Sequence, residues 1–385
     1  MNKTIILFIS LAILGCDTKN EPNTELKLSP ENAYNEIINN LDSLYPGRGV
    51  DVFNEKSLDR PMAYGLILSA ESNKYKYIQD SITLKHIRLC GEWLISNSDL
   101  NNNDIHGYGL ADSWDAFGDS TVNPANQEYT ITTAIAINGL IDWYNIEPDS
   151  SIKVNIYNTT LNNILPFLTN KYDSPIGIPA YSFSSNDRGN DVYNPAVYLA
   201  GQLIRFASIS SDDSLKNIIN IKTDMIINTL MANHLIDINE NIYWNYGIQI
   251  MRPNDLVHAC YIIEGVRESF KFNVRSDVQW NKIFNHLNLF YSNNRWYEHL
   301  EKNYKNDKYN SRLWGLGMLM YSLSRNGEYD KIEKSLWPQI QEYYLGNGSF
   351  KFKTNDNREM IRQDTHLLLG LSYYLFNEKT FPNKK

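Results

Sequence analysis

Three stretches of the 385-residue chain set ionisable side chains beside aromatic rings at spacings that suit chemistry on a sugar. In HGYGLADSWDAFGDSTVNPANQEYT, residues 106–130, Asp112, Asp115 and Asp119 surround Trp114 and Phe117, and Glu128 and Tyr129 follow. Acid–base work on a sugar needs a carboxyl group whose pKa is shifted by its surroundings, next to a platform that holds the ring. Asp115 beside Trp114 fits best as a catalytic group, with Trp114, Glu128 and Tyr129 as substrate contacts. A turn-forming or calcium-like loop is the plainer reading, since Asp, Asn, Gly and Ser are standard turn residues.

The second stretch, NIYWNYGIQIMRPNDLVHACYIIEG at 241–265, brings Trp244, Tyr246 and Arg252 up to Asp255 and His258. A spacing of three puts Asp255 and His258 on one helical face about a turn apart. Both are catalytic candidates, against a helix cap for Asp255 and a satisfied core histidine for His258. The third stretch, MIRQDTHLLLGL, carries Arg362, Asp364 and His366, and Arg312 with Trp314 opens the helix before it. Arg188, Arg252, Arg312 and Arg362 are expected to face one mouth. Arginine pairs planar carboxylates in bidentate geometry, so an anionic sugar such as a uronate is the expected ligand, with ordinary exposed ion pairs as the alternative.

Helices must position these groups. Amphipathic segments at about 30–45, 80–97, 150–169, 213–232, 276–291 and 329–345 read as outer helices with one solvated face. They alternate with segments that are apolar nearly all round, at about 60–73, 127–144, 193–208, 254–269, 309–325 and 361–376, which must be buried on most sides. Each of the second kind carries glycine (Gly65, Gly139, Gly201, Gly265, Gly315 with Gly317, Gly370) at a cost of about 1 kcal/mol relative to alanine. Close helix–helix approach explains that recurrence. The connections into the apolar helices are long and those out of them short, so the long loops collect at one end, where the helix N-termini add positive potential. A ligand cavity is expected at that mouth.

Six outer–inner helical pairs in succession resemble the (α/α)6 toroid of the six-hairpin glycosidase-like superfamily, over about residues 30–376. The resemblance implies an all-α fold and a carbohydrate-active enzyme that cleaves or remodels a polysaccharide. Hydrolysis would use two flanking carboxylates, for which Asp115 and Asp255 are the candidate pair. Lyase or epimerase chemistry on a uronate would instead use His258 or a tyrosine as base, with Arg252 or Arg312 neutralising the developing charge. Similar toroids serve other chemistries, but neither an acidic prenyl-diphosphate motif nor a Cys/His zinc constellation is readable. An open helical array for protein binding is the architectural alternative, and a non-catalytic glycan-binding or cell-envelope lipoprotein the functional one.

Composition narrows the partners. Against 36 basic residues stand 44 acidic ones, for a net charge of −8 with no long basic run, which argues against nucleic acid. Tyrosine outnumbers phenylalanine 26 to 14, and each hydroxyl needs a partner or water, pointing to a wet aromatic-lined surface. The seven histidines show no metal-ligand spacing. Neither a glycine-rich phosphate loop nor a nucleophile elbow is present, so no metal or cofactor is expected.

At the start, MNKTIILFISLAILGC has a lysine, an apolar run from Ile5 to Leu14 and a small residue before a cysteine, the layout of a secretory signal. Ile13-Leu14-Gly15-Cys16 resembles the bacterial lipoprotein lipobox. It implies removal of residues 1–15, lipidation of Cys16 and anchoring at the bacterial cell envelope, periplasmic or outer-membrane surface; a plain signal peptide is the alternative. Residues 16–28 read as a flexible tether and 29–385 as the toroid domain. Cys90 and Cys260 lie in apolar helical stretches and are expected as buried free thiols.

Overall fold

In a computed structural model, residues 28–43, 48–51, 57–273, 279–300 and 310–380 are described. The signal segment, Cys16 and most of the tether lie outside these residues. Six outer helices alternate with six inner ones. The outer set is Pro30–Ser43, Ser81–Ser96, Ser150–Leu168, Asp213–Ala232, Trp280–Asn285 running on as a 3-10 turn to Phe290, and a helical stretch over 329–341 with a π-helical middle at Ile332–Leu336. The inner set is Pro61–Tyr77, Thr130–Ile146, Tyr193–Ile209, Leu256–Asn273, Leu313–Arg325 and Ile361–Leu375. The sixth outer helix is shorter than its sequence pattern suggests, because residues 344–350 form a β-hairpin instead.

Each inner helix packs on the next, and the sixth packs back on the first. That contact makes the array a closed ring, the (α/α)6 toroid, rather than an open solenoid. Outer helices begin at side-chain caps written in the sequence: Asp80 accepts from Thr83 N at 2.7 Å, Asp149 from Ser151 N at 2.8 Å and Asp212 from Leu215 N at 3.0 Å. The inner helices from Thr130, Tyr193 and Leu313 lack a side-chain cap. Their opening amides find carbonyls in the loop of the following hairpin: Thr130 N on Tyr181 O, Tyr193 N on Tyr246 O, and Leu313 N on Phe352 O. Leu256 N donates likewise to Glu298 O. Four consecutive backbone hydrogen bonds thus tie neighbouring loops together along one end of the ring.

Glycine does what its recurrence suggests, in three pairs. A Cβ on Gly139 would stand 2.5 Å from Gly65 O, one on Gly265 2.1 Å from Val197 O, and one on Gly370 2.5 Å from Gly317 O. Inner helices one and two, three and four, and five and six are therefore in backbone contact. Gly315 differs, because its nearest neighbours stand at ordinary van der Waals distance.

The tyrosine excess has a second source besides the mouth. Tyr64 donates to Asp59 and Tyr108 to Leu94 O, each at 2.7 Å, and Tyr343 donates to Ser311 O at 2.7 Å. These rings are buried. They act as core residues whose polar tips are satisfied, so part of the expected wet surface is dry. Cys90 and Cys260 are buried and free, as expected. Among the described residues no helix is long and apolar enough to cross a membrane.

At the C-terminal ends of the inner helices the interior is ionic and closed on itself. Arg205 reaches Asp142 at 2.7 Å, and Asp142 also accepts from Ser69. Arg325 reaches Glu264 at 2.6 Å and also pairs with Glu268, while Arg267 lies 3.3 Å from Glu264. Cations suit this end, where the helix dipoles are negative.

Candidate active site

At the opposite end, side chains from the fourth, fifth and sixth inner helices and their loops gather round Trp314. The guanidinium carbons of Arg312 and Arg362 lie over its ring, 4.4 and 5.0 Å from the centre. His366 and His258 meet it edge to face at 6.0 and 6.4 Å. His258 also meets Tyr246 edge to face at 5.1 Å, and Arg252 lies over the Tyr246 ring at 4.3 Å. The sequence-predicted residues Tyr246, Arg252, Asp255, His258, Arg312, Trp314, Arg362 and His366 thus form one cluster.

Asp255 caps the fourth inner helix, accepting from His258 N at 3.1 Å. The cap reading and the functional reading are both satisfied, because the carboxylate has further partners. Its Oδ1 stands 2.7 Å from His258 Nδ1 and its Oδ2 accepts from Arg312 at 3.0 Å. Burial alone would raise the Asp255 carboxyl, but His258 and Arg312 outweigh it and hold the group well below the usual carboxylate range. Asp255 therefore stays ionised and is a poor proton donor. The imidazole turns its Nδ1 toward Asp255, and no described contact engages its Nε2. The side chain is 19% exposed, enough for a ligand to reach it.

Glu298 belongs to the site and has no counterpart in the expectations from sequence. It is 1% exposed and grips Arg312 through both oxygens, accepting from the backbone N at 2.8 Å and from Nε at 2.7 Å. A chain of alternating charge, Glu298, Arg312, Asp255, His258, runs from the core to the site. The only hint in the sequence is an acidic residue directly after Trp296 and Tyr297.

His366 is present in another capacity than substrate contact. Its Nε2 meets the Tyr261 hydroxyl at 2.5 Å and its Nδ1 faces the carbonyl of Arg362. Burial lowers its pKa to about 4, so it is neutral and braces the base of the Trp314 cluster.

Arg362 has no such bracing. Among the described residues no carboxylate pairs with it, and its Nε is sealed from solvent without a hydrogen-bond partner. Burial, then Arg312 and Arg60, pull its pKa down to about 10. Arg60, at the start of the first inner helix, is itself matched by Asp112 at 2.8 Å and Asp51 at 3.4 Å.

Other expected residues sit elsewhere or are otherwise engaged. Asp115 accepts from the amides of Gly118, Asp119 and Ser120 in its own loop, and no described contact joins it to Asp255. Trp114 on that loop is 46% exposed. Glu128 is buried and tied to Asn101, Asn103 and Gln127. Trp244 is buried, its indole N–H donating to Leu230 O at 2.8 Å. Arg188 lies over Tyr172, away from the cluster's described contacts. Tyr129 packs edge to face on Tyr181, which also touches Phe117 and feels Tyr246 and Arg362. Tyr181 thus links the 106–130 loop to the cluster. No group of three or more His, Cys, Asp or Glu among the described residues could hold a metal ion.

No family model and no curated protein sequence matches the chain. Solved structures do. A cellobiose 2-epimerase from Bacillus thermoamylovorans superposes with a TM-score of 0.60 at 11% identity, covering 88% of this chain and 98% of its own. A family GH76 α-mannanase of Bacteroides thetaiotaomicron gives 0.61 at 10% identity, over 92% and 98%. An unsaturated glucuronyl hydrolase specific for heparin gives 0.60 at 10% identity, over 91% and 96%. At such identities the likeness establishes the fold, and these neighbours share the six-hairpin glycosidase-like toroid.

Proposed function

We propose that the protein is a carbohydrate-active enzyme that cleaves or remodels a polysaccharide at the mouth formed by the N-terminal ends of the inner helices. The observation that carries this reading is the His258–Asp255 pair set against Trp314, with Arg312 beside it. An aromatic face suits the apolar face of a sugar ring, and a histidine oriented by a carboxylate is built to move a proton. The neighbours in fold that act on sugars support the class.

Within that class, proton abstraction from a sugar carbon, as in a lyase or epimerase, uses the site better than hydrolysis does. Hydrolysis needs a protonated carboxyl group opposite a second carboxylate. Asp255 is held ionised and Asp115 is engaged by its own loop, whereas His258 Nε2 has no described partner and serves as the base when the ring is neutral. Membrane anchoring through Cys16 is part of the same proposal; retention of a Cys16→Ser protein in the membrane fraction would count against it.

The test is a panel of neutral and acidic polysaccharides incubated with the wild type and with His258→Gln. Ultraviolet absorbance from an unsaturated uronide marks elimination, inverted sugars without new ends mark epimerisation, and new reducing ends without that absorbance mark hydrolysis. Loss of the base is expected to lower kcat by about 10²- to 10⁴-fold. Glycan binding without any product, unchanged by His258→Gln, would make the protein a binding lipoprotein instead.

A further inference from the structure

We infer that Arg362 is the receptor for the carboxylate of an acidic sugar, and that Trp314 holds that sugar's ring between Arg362 and His258. This rests on the functional reading above and names its substrate class.

The argument is one of charge matching. Arg312 is matched by Glu298 and Asp255, and Arg60 by Asp51 and Asp112. Arg362 alone among these three has no carboxylate among the described residues, although it lies over the same indole ring as Arg312. A partly buried guanidinium without a carboxylate partner is desolvated with nothing in the described protein to offset its charge, and an anionic ligand would supply the missing charge. The Arg362 Nε, sealed and without a partner, supplies a donor for a planar oxygen pair.

The identity of the anion follows from the base. Arg362 and His258 both border the Trp314 ring, at 5.0 and 6.4 Å from its centre, so both belong to the cluster that would receive the sugar. A carboxylate neutralised by a guanidinium acidifies the hydrogen on the adjoining carbon, whereas a sulfate ester does not. His258 Nε2 takes that proton, and the C–H electron pair moves into the bond to the carboxyl carbon, placing negative charge on oxygens facing Arg362. The pair then returns either to a proton delivered by solvent water on the opposite face, with His258 later losing its proton to solvent, or to a carbon–carbon double bond as the glycosidic oxygen departs, taking its proton from the His258 imidazolium or from water.

Calorimetry and thermal-shift measurements on the full chain would use galacturonate and glucuronate oligosaccharides, their neutral counterparts and a sulfated neutral oligosaccharide. Acidic oligosaccharides are expected to bind the wild type about 10- to 100-fold more tightly than neutral ones, the worth of a charge-assisted hydrogen bond. Arg362→Gln should erase that preference and leave neutral binding intact, while Arg362→Lys keeps part of it. A preference that survives Arg362→Gln, equal binding of acidic and neutral sugars, or equal binding of the sulfated sugar each overturns the assignment. Turnover of neutral sugars would sink the carboxylate receptor while leaving the enzyme reading intact. Binding of simple carboxylates through Arg362 without binding of any sugar would do the reverse.

Discussion

The two ends of the ring hold similar residues in opposite states. At the C-terminal end, Arg205 and Arg325 are both met by carboxylates, from Asp142, Glu264 and Glu268. At the N-terminal end, Arg312 is met but Arg362 is not, and His258 keeps one nitrogen free for a ligand. Charge alone therefore does not mark a site in this fold. What separates the two ends is an arginine with no carboxylate partner among the described residues.

The sharpest way to break this contrast is at the closed end. Arg325→Gln leaves Glu268 without its ion pair and Glu264 with Arg267 alone, and should cost about 3–5 kcal/mol, seen as a lower denaturation midpoint; a loss below about 1 kcal/mol would mean that end is not a closed network. Acidification should reach the mouth side first. His366 has a folded pKa of about 4 against an ordinary 6.5, so the unfolded chain takes up a proton that the folded one refuses. Its contribution is complete above pH 6.5 and declines by about 3 kcal/mol as the pH falls to 4. Burial pushes Asp142 and Glu268 up, but Arg205 with Lys76 at the first and Arg325 with Arg205 at the second together hold each below the usual carboxylate range, so their contributions persist to lower pH. The slope of stability between pH 6.5 and 4.5 should flatten in His366→Gln, and an unchanged slope would assign it to other groups.

Between the two ends, Gly265→Ala puts a methyl against Val197 O and should cost about 1–3 kcal/mol as overpacking. Gly315→Ala, in ordinary contact, should cost less, and equal costs would remove the distinction between paired and unpaired glycines. The smallest effect is the most telling. In the absence of ligand, Arg362→Gln should leave stability unchanged or raise it by about 1 kcal/mol, since it removes an unmatched cation rather than breaking a pair. Destabilisation on the scale of Arg325→Gln would show that Arg362 has a structural partner.

What was legible in the sequence was whatever depends on short spacing. Asp255 and His258 are three residues apart on a helix, and the outer helices announce themselves through Asp80, Asp149 and Asp212. Glu298 escaped because its partner Arg312 lies beyond a loop with no periodicity to read. The inner helices from Thr130, Tyr193 and Leu313 carry no side-chain cap because the next hairpin's loop supplies the acceptor, a relation that exists only once the hairpins pack side by side. Asp115 drew attention by standing beside Trp114, but Asp, Gly and Ser in sequence make turns as readily as sites, and the loop took all three nearby amides. Trp244 looked like a sugar platform, yet its ring faces the core.

The row of loop carbonyls has a consequence for how such a ring can be altered. Because Tyr193 depends on Tyr246, Leu256 on Glu298 and Leu313 on Phe352, the natural unit of exchange at the mouth is not a hairpin. It is the start of one inner helix together with the loop of the next hairpin, a piece that straddles the apparent repeat boundary. Grafting a loop from a related toroid without the preceding helix start would leave buried amides with no acceptor, and transplanting both together would carry the local site chemistry intact.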